Sequence, residues 1–121
     1  MVDGRIGIFD NNLDFTKRGS NSGGSRVVAV DPTTGAEEVL YPNGGAPPFF
    51  SEYSGKWQAL PNGNRLITIA REGRALEVTA GGKTVWEWIT PLYGSDRVPE
   101  LMEATRYDIP AEVISGWTCP G

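Results

Sequence analysis

Apolar residues along this chain come in short, partly alternating runs, each closed by residues that turn the backbone. The turn signals are Asp3-Gly4, Asp31-Pro32-Thr33-Thr34-Gly35, Asn43-Gly44-Gly45, Pro61-Asn62-Gly63-Asn64 and Ala80-Gly81-Gly82. Each supplies a residue that tolerates positive φ or a proline with its φ locked. The runs between them are rich in β-branched and aromatic side chains, which suit a pleated, half-buried surface. The pattern predicts strands over 5–9, 26–30, 38–41, 57–60, 65–69, 75–79 and 84–89, with an eighth over 103–107. One short helical turn is expected over 109–115, with Pro110 at its start.

Alternation is sharpest over residues 84–89. Val85, Glu87 and Ile89 fall on one face there, and Thr84, Trp86 and Trp88 on the other. Two tryptophans pointing the same way predict a packing face between stacked sheets.

The two halves of the chain line up with each other. Residues 25–31 match 73–79, and Val39-Leu40-Tyr41-Pro42 matches Trp86-Glu87-Trp88 with Pro91 shortly after. Upstream, Asp3-Gly4-Arg5 matches Asn62-Gly63-Asn64. The offset is 59 at the upstream match and 48 at the next, which puts 11 extra residues in the first copy. They fall in the loop 11–24, rich in Gly, Ser and Asn, which is expected to be exposed and mobile. Lys17-Arg18, the charge cluster of that loop, is read as a solvated tip.

A repeat of this length built from about four short strands is the signature of a propeller blade. The fold class is therefore all-β: two propeller-type blades of four-stranded antiparallel sheet, a fragment of a larger propeller or a building block for one. A single domain spans 1–121, with a first blade over 3–42, a second over 57–91 and a tail over 92–121 that carries a closing strand. One blade cannot bury both of its faces and must stack on neighbours. Propellers have about four to eight blades, so two blades call for partners.

Composition narrows the function. Glycine (16) and proline (9) are dense enough in 121 residues to exclude long helices. The net charge of −4, with no basic stripe, argues against a nucleic-acid partner. No apolar run approaches the ~18 residues needed to span a bilayer, so no membrane partner is expected. The first residues, Met1-Val2-Asp3-Gly4-Arg5, show no leader pattern. A chain complete as written is therefore expected in the cytoplasm, whereas a fragment of a longer exported protein has no assigned location. Cys119 stands alone and is read as a tail cysteine without a role.

Candidate chemistry is sparse. The chain has no histidine, and no Gly-x-Ser-x-Gly elbow appears. Ser51-Glu52 and Ser54 share a loop with Tyr53, but adjacency is not an activated nucleophile. Glu37 and Glu38 are strand neighbours that point to opposite faces and are read as surface charge. Asp10-Asn11-Asn12-Leu13-Asp14 begins like a calcium loop, yet Phe15 stands where glycine is needed and Asn21 where a closing glutamate belongs, so a turn is expected. No metal and no cofactor are expected. The sharper hypothesis is a small-molecule or sugar pocket between blades, with Trp57, Tyr53, Trp86 and Trp88 as aromatic walls and Arg71, Glu72 and Arg74 as its polar part.

The order and spacing of several motifs carry a family resemblance. Gly4-Arg5-Ile6-Gly7-Ile8-Phe9-Asp10-Asn11, the element 25–42, Phe49-Phe50-Ser51-Glu52-Tyr53-Ser54-Gly55 leading into 58–68, the element 73–91, and the pairs Arg97-Val98 and Arg106-Tyr107 follow one another as in the arylsulfotransferase-like proteins. The chain resembles roughly the last two blades of that family's six-bladed, quinoprotein-like propeller, over about residues 3–108. The resemblance implies sulfuryl transfer between aromatic alcohols through a catalytic histidine, with further histidines and an arginine holding sulfate. Without histidine, no catalytic residue carries over. The expected function is thus a non-catalytic propeller fragment or self-associating module. The alternatives are a small-ligand or carbohydrate binder in inter-blade pockets, and part of an arylsulfotransferase whose histidines lie outside this chain. Three copies of two blades would complete a six-bladed ring by a head-to-tail contact, with a symmetric dimer as its rival.

Overall fold

The computed structural model describes residues 1–120. Seven strands form two antiparallel sheets, with almost no helix. The first sheet is a meander of β1 (Ile6–Asp10), β2 (Arg26–Val30) and β3 (Glu37–Tyr41). The second is a meander of β4 (Lys56–Ala59), β5 (Arg65–Ile69), β6 (Arg74–Val78) and β7 (Thr84–Ile89). Every connection within a sheet joins antiparallel neighbours, through short turns except for the long loop 11–25 between β1 and β2. The architecture is all-β and consistent with propeller-like blades. It differs from expectation in one respect: the first sheet has three strands, not four.

The core lies between the sheets. Val27, Ala29, Leu40, Tyr41 and Phe49 meet Ile67, Ile69, Leu76 and Val78, with Phe9, Ala46 and Trp57 packed around them. Cross-strand register explains which face is buried. Trp57 pairs with Ile67, and Ile67 with Leu76, so these side chains share the face turned toward the first sheet. On the first sheet, Phe9 pairs with Val27, and Val27 with Tyr41. Leu40 is the extra residue of a bulge in β3, where Val27 and Val28 oppose Tyr41 and Val39. Each large apolar side chain buried here stabilises the fold by about 1.5–3 kcal/mol. Gly7 lets β1 approach β4, because a Cβ at that position would overlap the Trp57 ring.

Trp86 and Trp88 do share a face, through pairing with Glu77 and Ala75. That face points away from the first sheet, and the tryptophans remain 42% and 50% exposed. The contact between the sheets is made by the opposite face, with Trp57 as its aromatic member.

Residues 103–107 do not form the eighth strand. Side chains of the second sheet hold their backbone instead. The Ala104 amide donates to Thr68 Oγ1 (3.0 Å), the Arg106 amide to Gln58 Oε1 (2.9 Å), and Gln58 Nε2 to the Arg106 carbonyl (2.9 Å). A short 3-10 turn, Ala70–Glu72, links β5 to β6. The helix α1 (Ala111–Ser115) begins just after Pro110 and buries none of its residues.

Candidate functional site

The seven candidate pocket residues are distributed over four places. Trp57 is in the packing between the sheets. Tyr53 and Arg71 meet at one end of the second sheet, where Arg71 Nη1 donates to the Tyr53 hydroxyl (2.6 Å) and its guanidinium lies 5.0 Å from the ring centroid. The Tyr53 hydroxyl donates to Glu100 Oε1 (3.1 Å), and Arg71 stands 3.6 Å from the same carboxylate. Glu72 belongs to a third cluster, in which Arg74 bridges it (3.2 Å) and Glu87. Trp86 and Trp88 lie on the outer face of the second sheet, away from both clusters. Glu72 and Arg74 are paired with each other and Arg71 with Tyr53 and Glu100, and no single pocket gathers all seven.

The most constrained polar group is one that sequence reasoning passed over. Glu77 sits within β6 between Leu76 and Val78 and is only 5% exposed. Its carboxylate accepts from Asn64 Nδ2 (2.6 Å), from Asn62 Nδ2 (3.1 Å) and from Arg106. Arg106 also lies 5.8 Å from the Trp86 ring centroid, which makes it the link between the buried carboxylate and the exposed aromatic face. A charge in mid-strand, flanked by core residues, was the available signal, since a buried carboxylate must find partners. The Asn62-Gly63-Asn64 turn supplies two of them.

These bonds hold the Glu77 carboxyl below the ordinary carboxylate range, with Asn64 the leading cause and then Asn62 and Arg106, against the opposing effect of burial. A depressed folded pKa stabilises the fold above the unfolded value of about 4.3 and is lost as pH falls through the folded value. The gap in stability between the parent chain and Glu77→Gln is therefore expected to be constant near neutrality and to narrow below about pH 4.3. Urea titrations at several pH values measure it. A gap that does not change with pH would show that Glu77 gains nothing from ionisation.

The 11–24 loop carries Lys17 and Arg18 exposed, as a solvated tip requires, and is bonded within itself. Asn12 Nδ2 donates to the carbonyls of Ser22 (2.9 Å) and Gly24 (2.8 Å). The Asp14 carboxylate accepts from the amides of Thr16 (2.9 Å), Asn21 (2.6 Å) and Ser22 (2.9 Å) and from the Thr16 hydroxyl (2.5 Å). Its pKa is held far below the usual range, first by the Thr16 hydroxyl. The oxygens that suggested a calcium loop are therefore engaged in turn bonds, as the turn reading expects.

One open groove, of about 360 Å³, runs between β4 and the tail, lined by Gln58, Leu60, Asn62, Arg106, Tyr107 and Asp108. No group of three or more Cys, Asp or Glu side chains placed to hold a metal occurs among the described residues. Cys119 is exposed and free.

No curated protein and no solved structure matches the chain. A family model does: that of the arylsulfotransferases (ASST), over residues 2–90, which takes in all seven strands of both sheets. By that match, which spans most of its length and agrees with the motif order of its strands, the chain belongs to the arylsulfotransferase (ASST) family.

Proposed function

We propose that this chain is a self-associating propeller module, non-catalytic on its own, and that three copies close a six-bladed ring. The observation that carries the reading is a pair of unlike open faces. The outer face of the first sheet presents Ile6, Ile8 and Val39, each 41–46% exposed. The outer face of the second presents Trp86 and Trp88 around the Glu77–Arg106 pair. Within the chain, one sheet already packs on the other through its remaining face. Repeating that contact between copies, second sheet to first, is a heterologous step that closes into a ring. It would also cover apolar surface that a soluble monomer rarely leaves open.

The family's sulfuryl chemistry, as the resemblance describes it, needs histidine, and this chain has none. Any transfer by an assembly would draw its histidines from outside this chain. Binding of a small anionic or sugar ligand is the second reading, favoured by the groove in which Arg106 and Tyr107 line one wall.

Light scattering on a size-exclusion column tests the proposal. The expected mass is three times the 13.1 kDa of the chain, falling to a single chain for Ile8→Glu. A parent chain that runs as a folded monomer would overturn the ring. The same sample is expected to release no nitrophenol from nitrophenyl sulfate above background, and turnover would overturn the non-catalytic reading.

A further inference from the structure

The two sheets differ by one strand, and the chain carries one segment with no sheet of its own. In the second sheet, β4 leads into β5 through a turn closed by the Leu60 amide on the Asn64 carbonyl (2.9 Å). The first sheet has the turn but not the strand. Val2 and Arg5 exchange two backbone bonds of 2.8 Å around Asp3-Gly4, directly before β1. Among the described residues, β1 forms a ladder with β2 alone. Its other edge presents a row of unpaired amides and carbonyls.

The spare segment lies beyond β7. Fourteen residues lie between the end of β3, Tyr41, and the start of β4, Lys56, and fourteen between the end of β7, Ile89, and Ala104, within one residue of the correspondence that the contacts set. The contacts along the way correspond as well. A Cβ on Gly24, just before β2, would overlap the Phe49 carbonyl, and one on Gly73, just before β6, would overlap the Pro99 carbonyl. Gly55 abuts Phe9, the fourth residue of β1, while Ala104 bonds to Thr68, the fourth residue of β5. Trp57 abuts Gly7, the second residue of β1, while Arg106 reaches Glu77, the cross-strand partner of Leu66, the second residue of β5. Residues 104–107 thus sit against the second sheet as residues 55–58 sit against the first. They occupy the place of a first strand whose sheet is absent from this chain.

We infer that residues 105–108 of one copy pair antiparallel with β1 of a second copy and supply the fourth strand of its first sheet. The inference rests on the self-association proposed above and names the contact that would make it. The β4–β5 ladder sets the register. Trp57 opposite Ile67 and Ala59 opposite Arg65 translate to Arg106 opposite Ile8 and Asp108 opposite Ile6. Strand addition of this kind gains affinity from main-chain bonds at an open edge. The donated segment need not leave the second sheet of its copy, on which it rests, because side chains alone hold it there. Seven strands and one spare segment per copy fill two four-stranded blades, so three copies complete six without a strand left over.

The test uses two full-length single-cysteine proteins, Ile6→Cys and Asp108→Cys, each carrying Cys119→Ser. Both positions lie on the surface of the isolated chain. They are mixed, oxidised with a copper catalyst and run on a non-reducing gel beside each protein alone, with light scattering on the unoxidised samples. The expected result is a disulfide-linked pair that dominates in the mixture and is scarce in either protein alone. Efficient linkage within either single variant would indicate a symmetric contact and overturn the inference. A trimeric mass without the mixed disulfide would overturn strand donation while leaving the ring in place. A monomeric mass without it would overturn both.

Discussion

Ile67→Ala is expected to destabilise the chain by about 2–5 kcal/mol, and to lower its thermal midpoint by roughly 10 °C or more. Ile67 is fully buried at the middle of β5, between Trp57 and Leu76 in the ladder, and belongs to the one apolar cluster that joins the two sheets. Truncation removes three carbons from that contact and leaves a cavity. The strands on either side are held in register by backbone bonds and cannot collapse into it, so the cost adds to the lost transfer free energy. Ile89→Ala is the comparison. Ile89 is apolar and lies on an edge strand, but is 56% exposed, and its loss is expected to cost under about 1 kcal/mol. Urea denaturation of both variants measures the difference. Equal effects would mean that the sheets are not joined through this face.

Gly73→Ala is expected to cost about 2–4 kcal/mol, the second largest effect. Gly73 ends the 3-10 turn with φ 58° and ψ 38°, a left-handed conformation that an L side chain adopts at a cost of about 1–2 kcal/mol. Its surroundings add to this. A Cβ would overlap the Pro99 carbonyl and crowd Thr90 Oγ1 and Val98 Cγ1. The nearest obstacle is main chain, so relief requires the 90–100 segment to lift from the sheet. Gly63→Ala separates the two contributions. Gly63 has φ 84° with nothing within 4 Å of a Cβ, and should lose only the conformational part. If the two variants match in thermal midpoint, the tail is not packed on β6 as described.

Much of the fold was legible because turn chemistry is local. Asn62-Gly63-Asn64 and Ala80-Gly81-Gly82 mark hairpins wherever they stand, since positive φ is a property of the residue. Strands β2, β5 and β7 fall where the apolar runs place them, at Arg26–Val30, Arg65–Ile69 and Thr84–Ile89. The tail was less legible. Within residues 103–107 only Thr105 and Tyr107 favour a strand, strand formation needs a neighbouring backbone, and here Gln58 and Thr68 take that role with their side chains.

The candidate site was read less well than the fold. Tyr53 meets Arg71 and Arg74 meets Glu72, but as two separate clusters rather than as parts of one pocket. Their partners Glu100 and Glu87, and the whole Glu77–Asn62–Asn64–Arg106 cluster, depend on contacts between residues 13 to 47 positions apart. No local pattern encodes these.

Family membership, the all-β class and the positions of most strands follow from residue type and spacing, which act over a few bonds. Which face of each sheet is buried does not. Alternation assigns Trp86 and Trp88 to a common face and Val85, Glu87 and Ile89 to the opposite one, without ranking the two. The ranking came from packing: Gly7 admits Trp57 between the sheets, the Ile67 face closes on Val27 and Tyr41, and the tryptophan face is left outward.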